Sequence, residues 1–172
     1  MAAPEHAIRV ATVADAPSLF SLINSAYHVE TGDIPPAFKI TTRFLLESEV
    51  AALVAGGRVL VYERAGSLLG VLSYDVISDG GALRAHFGPF AVANAAQGGG
   101  IGQALLGELA LRAAAEGCAS LDAEVVNHRH DLFPLYLGRL GFRVVGRAPF
   151  PAPERLSRPS HFVSIRRALA RG

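Results

Sequence analysis

Phe87-Gly-Pro-Phe-Ala-Val-Ala-Asn-Ala-Ala-Gln-Gly-Gly-Gly-Ile-Gly-Gln-Ala-Leu-Leu106 reads as a strand, a glycine loop and a helix in succession. Phe87 to Ala93 is apolar and extended, Gln97 to Gly102 forms the loop, and helical spacing runs from Ile101 to about Glu116. Residues without a Cβ take the torsions that turn successive N–H groups into one concavity and let a ligand approach the backbone. That concavity opens onto a helix N-terminus, where free N–H groups and the macrodipole favour an anion such as a pyrophosphate. The functional reading is a phosphate-bearing cofactor held by main-chain groups. The plain alternative is a tight turn between strand and helix.

Spacing separates the known phosphate loops. A Walker loop requires G-x-x-x-x-G-K-[ST], and no lysine follows these glycines. The Rossmann fingerprint places its third small residue at Gln103 when counted from Gly98 and at Leu105 when counted from Gly100, so both frames fail. Gln97-Gly-Gly-Gly100-Ile-Gly102 instead resembles the Q/R-x-x-G-x-G/A acetyl-CoA signature of the GNAT N-acetyltransferase superfamily. Downstream, Leu135-Tyr136-Leu-Gly-Arg-Leu-Gly141-Phe142 is similar to that family's L-Y-x-x-x-G-F segment on its fourth helix. The resemblance extends from about Ile8 to Leu169. It departs from the family at two places: His130 stands where an alanine is expected after Asn127, and Pro134 lies just ahead of the tyrosine.

The resemblance implies one α/β domain over residues 1–172, with a mixed central sheet of about six to seven strands flanked by about four helices. A splayed parallel strand pair would mark the cofactor site. It implies acetyl-CoA as co-substrate and transfer of an acetyl group to a primary amine of a small molecule, by direct attack in a ternary complex. A protein or peptide amine, or a non-catalytic acyl-CoA sensor, are the alternatives. By the same resemblance the backbone of Phe90, Ala91 and Val92 serves the pantetheine arm and thioester. Gln97, Gly98, Gly99, Gly100, Ile101, Gly102 and Gln103 hold the pyrophosphate, and the Asn127 side chain contacts the cofactor arm. Tyr136 is the expected proton donor to the departing thiolate; the alternative is a tyrosine packed inward with its hydroxyl bonded elsewhere. An alkyl ammonium must lose a proton before attack. His86 occupies the strand position where some relatives carry a glutamate, and Glu124 on the neighbouring strand competes for that role. Asp75, Tyr27, His28 and Glu30 are candidates for the acceptor pocket wall. Arg129, Arg139 and Arg143 are candidates for the cofactor's terminal phosphate, with a solvated arginine as the alternative for each.

The whole chain is consistent with such a domain. At 172 residues, with 51% hydrophobic and 18% charged residues, it is long and apolar enough for one core. A net charge of +1 points to neither nucleic acid nor a membrane surface as partner. The single cysteine, Cys118, excludes an internal disulfide and fits a reducing compartment. No basic, apolar leader begins the chain and no stretch approaches a bilayer span, so the expected location is the cytoplasm. His128, His130 and His161 lack a cysteine and a convincing metal-ligand spacing, so no metal is expected. Monomer and homodimer are both open.

Element by element, Ile8–Ala11 reads as a strand, with Asp15 as helix N-cap and Pro17 in the first turn. Leu19, Leu22, Ile23 and Ala26 form an inward stripe. An irregular connection covers Tyr27 to Ile40. A helix from about Thr42 is expected to turn Phe44, Leu46, Val50 and Leu53 inward and to end at Gly56-Gly57. Val59–Glu63 and Leu68–Ile77 form an antiparallel hairpin, and Leu83–Ala93 is a strand bent at Gly88-Pro89. The central helix turns Ile101, Leu105, Leu109 and Ala113 toward the sheet. Leu121–Val125 should run parallel to the strand before the loop, because a crossover helix joins them. Asp131 is the expected cap of the fourth helix, and Phe142–Arg147 and His161–Arg167 are the last strands.

Overall fold

The computed structural model describes residues 6–27 and 46–170. Its strands are β1 (His6–Val10), β2 (Val59–Arg64), β3 (Ser67–Asp79), β4 (Ala82–Val92), β5 (Ser120–Val126), β6 (Arg143–Pro149) and β7 (His161–Ala168). Its helices are α1 (Ala16–Tyr27), α2 (Glu47–Ala55), α3 (Ile101–Ala115) and a short fourth, α4 (Pro134–Arg139). The strands form one mixed sheet in the order β1-β2-β3-β4-β5-β7-β6. As the crossover rule requires, β4 and β5 are parallel, with Arg84 opposite Ser120, Ala85 opposite Leu121 and His86 opposite Asp122. Gly88-Pro89 lies beyond the last of these pairs, and Pro89 has no N–H to offer a ladder.

The described residues group into two units, 6–27 with 46–75 and 87–111, and 76–86 with 112–170. In the first, α1 and α2 bury one apolar stripe each: Ala16, Leu19 and Ile23 from α1, and Val50 and Val54 from α2. These close on Val59, Val61, Val71 and Ala91 of the sheet. At about 25 cal/mol per Å² of apolar surface, each such side chain contributes roughly 1.5–3 kcal/mol. α3 approaches the sheet at Gly70, where a Cβ would lie 2.7 Å from Ile101 Cγ2 and 2.9 Å from Leu105 Cδ1. The glycine in β3 is what lets the helix come this close. In the second unit β5 pairs antiparallel with β7, and β7 with β6.

Two expected caps differ. Asp15 does not reach forward into α1; its carboxylate turns back to accept the Thr12 N–H at 2.8 Å and both Nη atoms of Arg9 at 2.8 and 2.9 Å. A fixed guanidinium fork outcompetes a helix-end N–H for a carboxylate. The described helix α2 runs from Glu47, with Val50 and Val54 buried; the expected start near Thr42 lies outside the described residues. Leu46 is 62% exposed ahead of it instead of facing inward, its N–H donated to the Glu49 carboxylate at 2.8 Å. Thr42 and Phe44 lie outside the described residues.

The Asp15 arrangement gives an acid-stability expectation. The Arg9 hydrogen bonds, chiefly, lower the Asp15 carboxyl to about 2. Free aspartate titrates near 3.9, so the contribution is present above about pH 4 and is lost as pH falls toward 2. Asp15→Asn should cost about 1 kcal/mol at pH 7, as for a half-exposed ion pair. That difference from wild type, read from urea midpoints, should shrink by pH 2.5. A constant difference would place the effect elsewhere.

Candidate active site

The glycine loop is built from the strand upward. Ala93 donates its N–H to Leu69 O at 2.8 Å, tying the end of β4 to β3. A 3-10 turn, Asn94–Ala96, follows, and Gln97 then folds its amide back: Nε2 donates to Val92 O and to Asn94 Oδ1, both at 3.2 Å. Asn94 Nδ2 in turn reaches Ser25 O near the end of α1 at 3.2 Å. The Gln97 side chain therefore shapes the loop from within.

Residues 97–100 are all exposed. Gly98 and Gly100 each have φ of +83°, the left-handed region, and a Cβ on either would meet nothing within 4 Å. Torsion, and not crowding, selects glycine at both positions. Gly102 has a different reason, since its Cβ would stand 3.1 Å from Phe90 Cζ. The first backbone bond entering α3 runs from Ala104 N–H to Gly100 O at 3.0 Å. The amides of Ile101, Gly102 and Gln103 precede it, and first-turn amides have no intrahelical acceptor. A left-handed turn leading into such a helix end is chemically suited to a pyrophosphate.

On β4 itself Phe90 and Val92 are half-buried on one face and Ala91 is buried on the other. Tyr27, expected at the acceptor wall, accepts the Phe90 N–H on its hydroxyl at 3.4 Å. His28 and Glu30 lie outside the described residues. Asp75, at the end of the first unit's part of β3, is exposed.

In the second unit the parallel register brings the two base candidates onto one face. His86 stands opposite Asp122, and Glu124 is two residues further along β5 on the same side, so it is a diagonal neighbour. Between them Asp122 is fully committed: it takes the Ser120 hydroxyl at 2.7 Å and Arg166 through three contacts of 2.6 to 3.0 Å. Burial pushes the Asp122 carboxyl up, but the hydrogen bonds from Arg166 and Ser120 prevail and hold it below its usual range. Sequence reading missed this buried pair. The signal was Asp122 facing Arg166 in the last strand pair.

Tyr136 sits on α4, buried, with its ring edge-on to Phe142 at 5.6 Å and 87°. Here the structure corrects the motif count. Four residues, not three, separate Tyr136 from Gly141. α4 is a π-helix, closed by Leu140 N–H to Leu135 O at 3.0 Å, an i to i+5 bond. The wider turn absorbs the extra residue. Gly141, at φ +74°, then reverses the chain and delivers Phe142 onto the Tyr136 ring. Arg167 also stacks over Phe142, at 5.2 Å, and donates to Leu140 O at 3.1 Å. Asp131 does not cap α4; its carboxylate is paired with Arg129 at 2.9 Å, and Phe133 occupies the cap position.

Asn127, at the end of β5, accepts the His161 N–H on Oδ1 at 3.0 Å. His128 Nε2 lies 3.0 Å from Pro159 O. Among the described residues no group of three histidine, cysteine or carboxylate side chains is arranged to hold a metal. Cys118 is buried. No helix among these residues is long and apolar enough to cross a membrane.

A parallel β4–β5 pair, a left-handed glycine loop opening on α3 and a tyrosine-bearing fourth helix define an α/β protein of the acetyltransferase class. A model of the Acetyltransferase (GNAT) family matches residues 18–142, and the chain belongs to that family. Acetyl-CoA is the family's co-substrate. Among curated proteins none matches the sequence significantly. The fold is similar to the ribosomal-protein-alanine N-acetyltransferase from Brucella melitensis, with 27% identity, TM-score 0.72, and 95% of this chain and 99% of that one covered. It is also similar to yncA from Salmonella typhimurium, solved with its cofactor acetyl-CoA, with 23% identity, TM-score 0.74, and 97% and 95% covered. Arabidopsis thaliana Naa50, in complex with the bisubstrate analogue CoA-Ac-MVNAL, shares 14% identity with TM-score 0.69, and 95% and 99% covered.

Proposed function

We propose that this chain transfers the acetyl group of acetyl-CoA to the primary amine of a small molecule, by direct attack in a ternary complex. The observation that carries the reading is the exposed loop with Gly98 and Gly100 at φ +83°, leading into the free amides that open α3. The backbone amides of Gly98 to Gln103 bind the pyrophosphate, with Gln97 holding the loop's shape. The β4 backbone from Phe90 to Val92 lies along the pantetheine arm, and Asn127 contacts that arm near its end. Main-chain N–H groups stabilise the negative charge that develops on the thioester oxygen. The amine nitrogen forms its bond to the carbonyl carbon as the carbon–sulfur bond breaks. His86 or Glu124 takes the proton from the amine, and the Tyr136 phenol supplies one to the sulfur. The lone cysteine, Cys118, is buried and poorly placed for an acyl-enzyme, and it suits a single cytoplasmic domain.

A peptide or protein amine is the second reading. It is favoured by the acceptor named for the Brucella neighbour and by the peptide portion of the analogue bound to the Arabidopsis one. A thermal-shift titration with acetyl-CoA, CoA, NAD and ATP tests the common element, since a ligand of the native state alone raises the melting temperature. Stabilisation by both CoA species is expected; stabilisation by NAD or ATP alone would overturn it. Thiol release with small amines against short peptides then separates the two acceptor classes.

The base assignment has its own test. His86→Gln should lower kcat/KM about 100-fold. Glu124→Gln should stay within about threefold of wild type. The opposite pattern would give the role to Glu124.

A further inference from the structure

We infer that Arg158, on the segment between β6 and β7, receives an oxyanion carried by the acceptor amine, a carboxylate or a phosphate; this rests on the acyl-transfer reading above. Its Nε is the one buried side-chain nitrogen or oxygen among the described residues without a hydrogen-bond partner. A guanidinium is permanently charged and presents its N–H groups as a rigid fork matched to carboxylate and phosphate. Leaving such a donor buried and unpaired is costly, so folded chains rarely do it without a missing partner.

The comparison with nearby arginines sharpens the point. Arg129 is taken by Asp131, Arg166 by Asp122, and Arg167 by the Leu140 carbonyl. Among the described residues, no carboxylate or carbonyl takes the Arg158 Nε. Between Pro149 and His161 the chain carries Arg155 and Arg158 against the single acid Glu154. The excess charge favours an anion.

The segment is also pinned in place. Asn127 and His161 exchange two hydrogen bonds of 3.0 Å, from His161 N–H to Asn127 Oδ1 and from Asn127 N–H to His161 O. His128 lies 3.0 Å from Pro159 O, and the Ser160 hydroxyl donates to Arg158 O at 3.1 Å. These contacts fix Arg158 beside the C-terminal end of β5. Ligands of α/β sheets bind at the carboxyl ends of parallel strands. A half-buried guanidinium held there, with its buried Nε unpaired, is a specificity group for an acidic substituent.

The experiment is thiol release from acetyl-CoA with the twenty amino acids, each beside its neutral amide, and with phosphoethanolamine beside ethanolamine. Wild type should favour the acid-bearing member of at least one pair by roughly 10- to 100-fold in kcat/KM, the worth of a charge-assisted hydrogen bond. The amino acid and phosphoethanolamine arms distinguish carboxylate from phosphate. Arg158→Met should erase most of that preference through KM while leaving KM for acetyl-CoA unchanged, and Arg158→Lys should restore part of it. Neutral and acidic partners used equally would overturn the inference, as would an unchanged preference in Arg158→Met. A raised KM for acetyl-CoA in that variant would also overturn it, by giving the residue to the cofactor. If acetyl-CoA stabilises the protein but no acid-bearing amine is turned over, the inference fails and the reading above stands. If acetyl-CoA does not bind, the reading itself fails.

Discussion

Tyr136→Phe is expected to lower kcat about 100- to 1,000-fold, with KM for acetyl-CoA within about twofold of wild type. Protonation of the leaving group by a positioned side chain contributes 10²- to 10⁴-fold in enzymes generally, and this substitution removes the phenolic hydroxyl while keeping the ring. The ring contacts survive it. Tyr136 is buried edge-on to Phe142, and Phe142 is held under Arg167, so phenylalanine retains the packing and the melting temperature should move by only a few degrees. A structural role for the hydroxyl predicts the reverse: a lowered melting temperature with kcat nearly intact. The non-catalytic sensor alternative predicts no turnover for the wild type to lose. The measurement is kcat at saturating acetyl-CoA, beside a melting curve for each protein.

The π-turn that carries Tyr136 shows where the sequence was legible and where it was not. The two signature stretches, the β-hairpin, the crossover helix and the parallel strand pair were all readable, because each follows from a local pattern or a chirality rule. The spacing from Tyr136 to Gly141 was harder. One extra residue shifts an α-helical side chain by about 100°, and only a wider hydrogen-bonded turn cancels that shift. Nothing in Leu135-Tyr136-Leu-Gly-Arg-Leu140 announces a bond from Leu140 back to Leu135. The caps failed for a related reason. Asp15 and Asp131 have the composition of N-caps, yet each is drawn to an arginine, Arg9 across a turn and Arg129 two residues away. A side chain that can bond locally or to a charge goes to the charge. Asp122 was hidden by the same logic, since its partner Arg166 lies 44 residues further along the chain. The base candidates were separable by sequence only as rivals, whereas the register between β4 and β5 sets His86 and Glu124 on one face.

Gly100→Val is expected to raise KM for acetyl-CoA by about 100-fold, with kcat at saturation within a few-fold and the melting temperature almost unmoved. The backbone at Gly100 has φ +83°, and a Cβ there would meet no atom within 4 Å. A β-branched residue is therefore excluded by torsion alone, and the loop must swing to another conformation to accept it. Because Gly100 is exposed, that movement removes little packing. On the proposed reading, what it misaligns is the set of amides that bind the pyrophosphate, each charge-assisted hydrogen bond being worth about 1.5–3 kcal/mol. The neighbouring glycine supplies the contrast. Gly99 is not left-handed, and its Cβ would sit 3.4 Å from Ala96 O, an ordinary contact. Gly99→Ala should stay within about threefold of wild type in both constants. Equal damage from both substitutions would mean that the loop is needed for flexibility or for close approach everywhere. Damage confined to position 100 would mean that one left-handed turn sets the direction of the amides, and with it the affinity for the co-substrate.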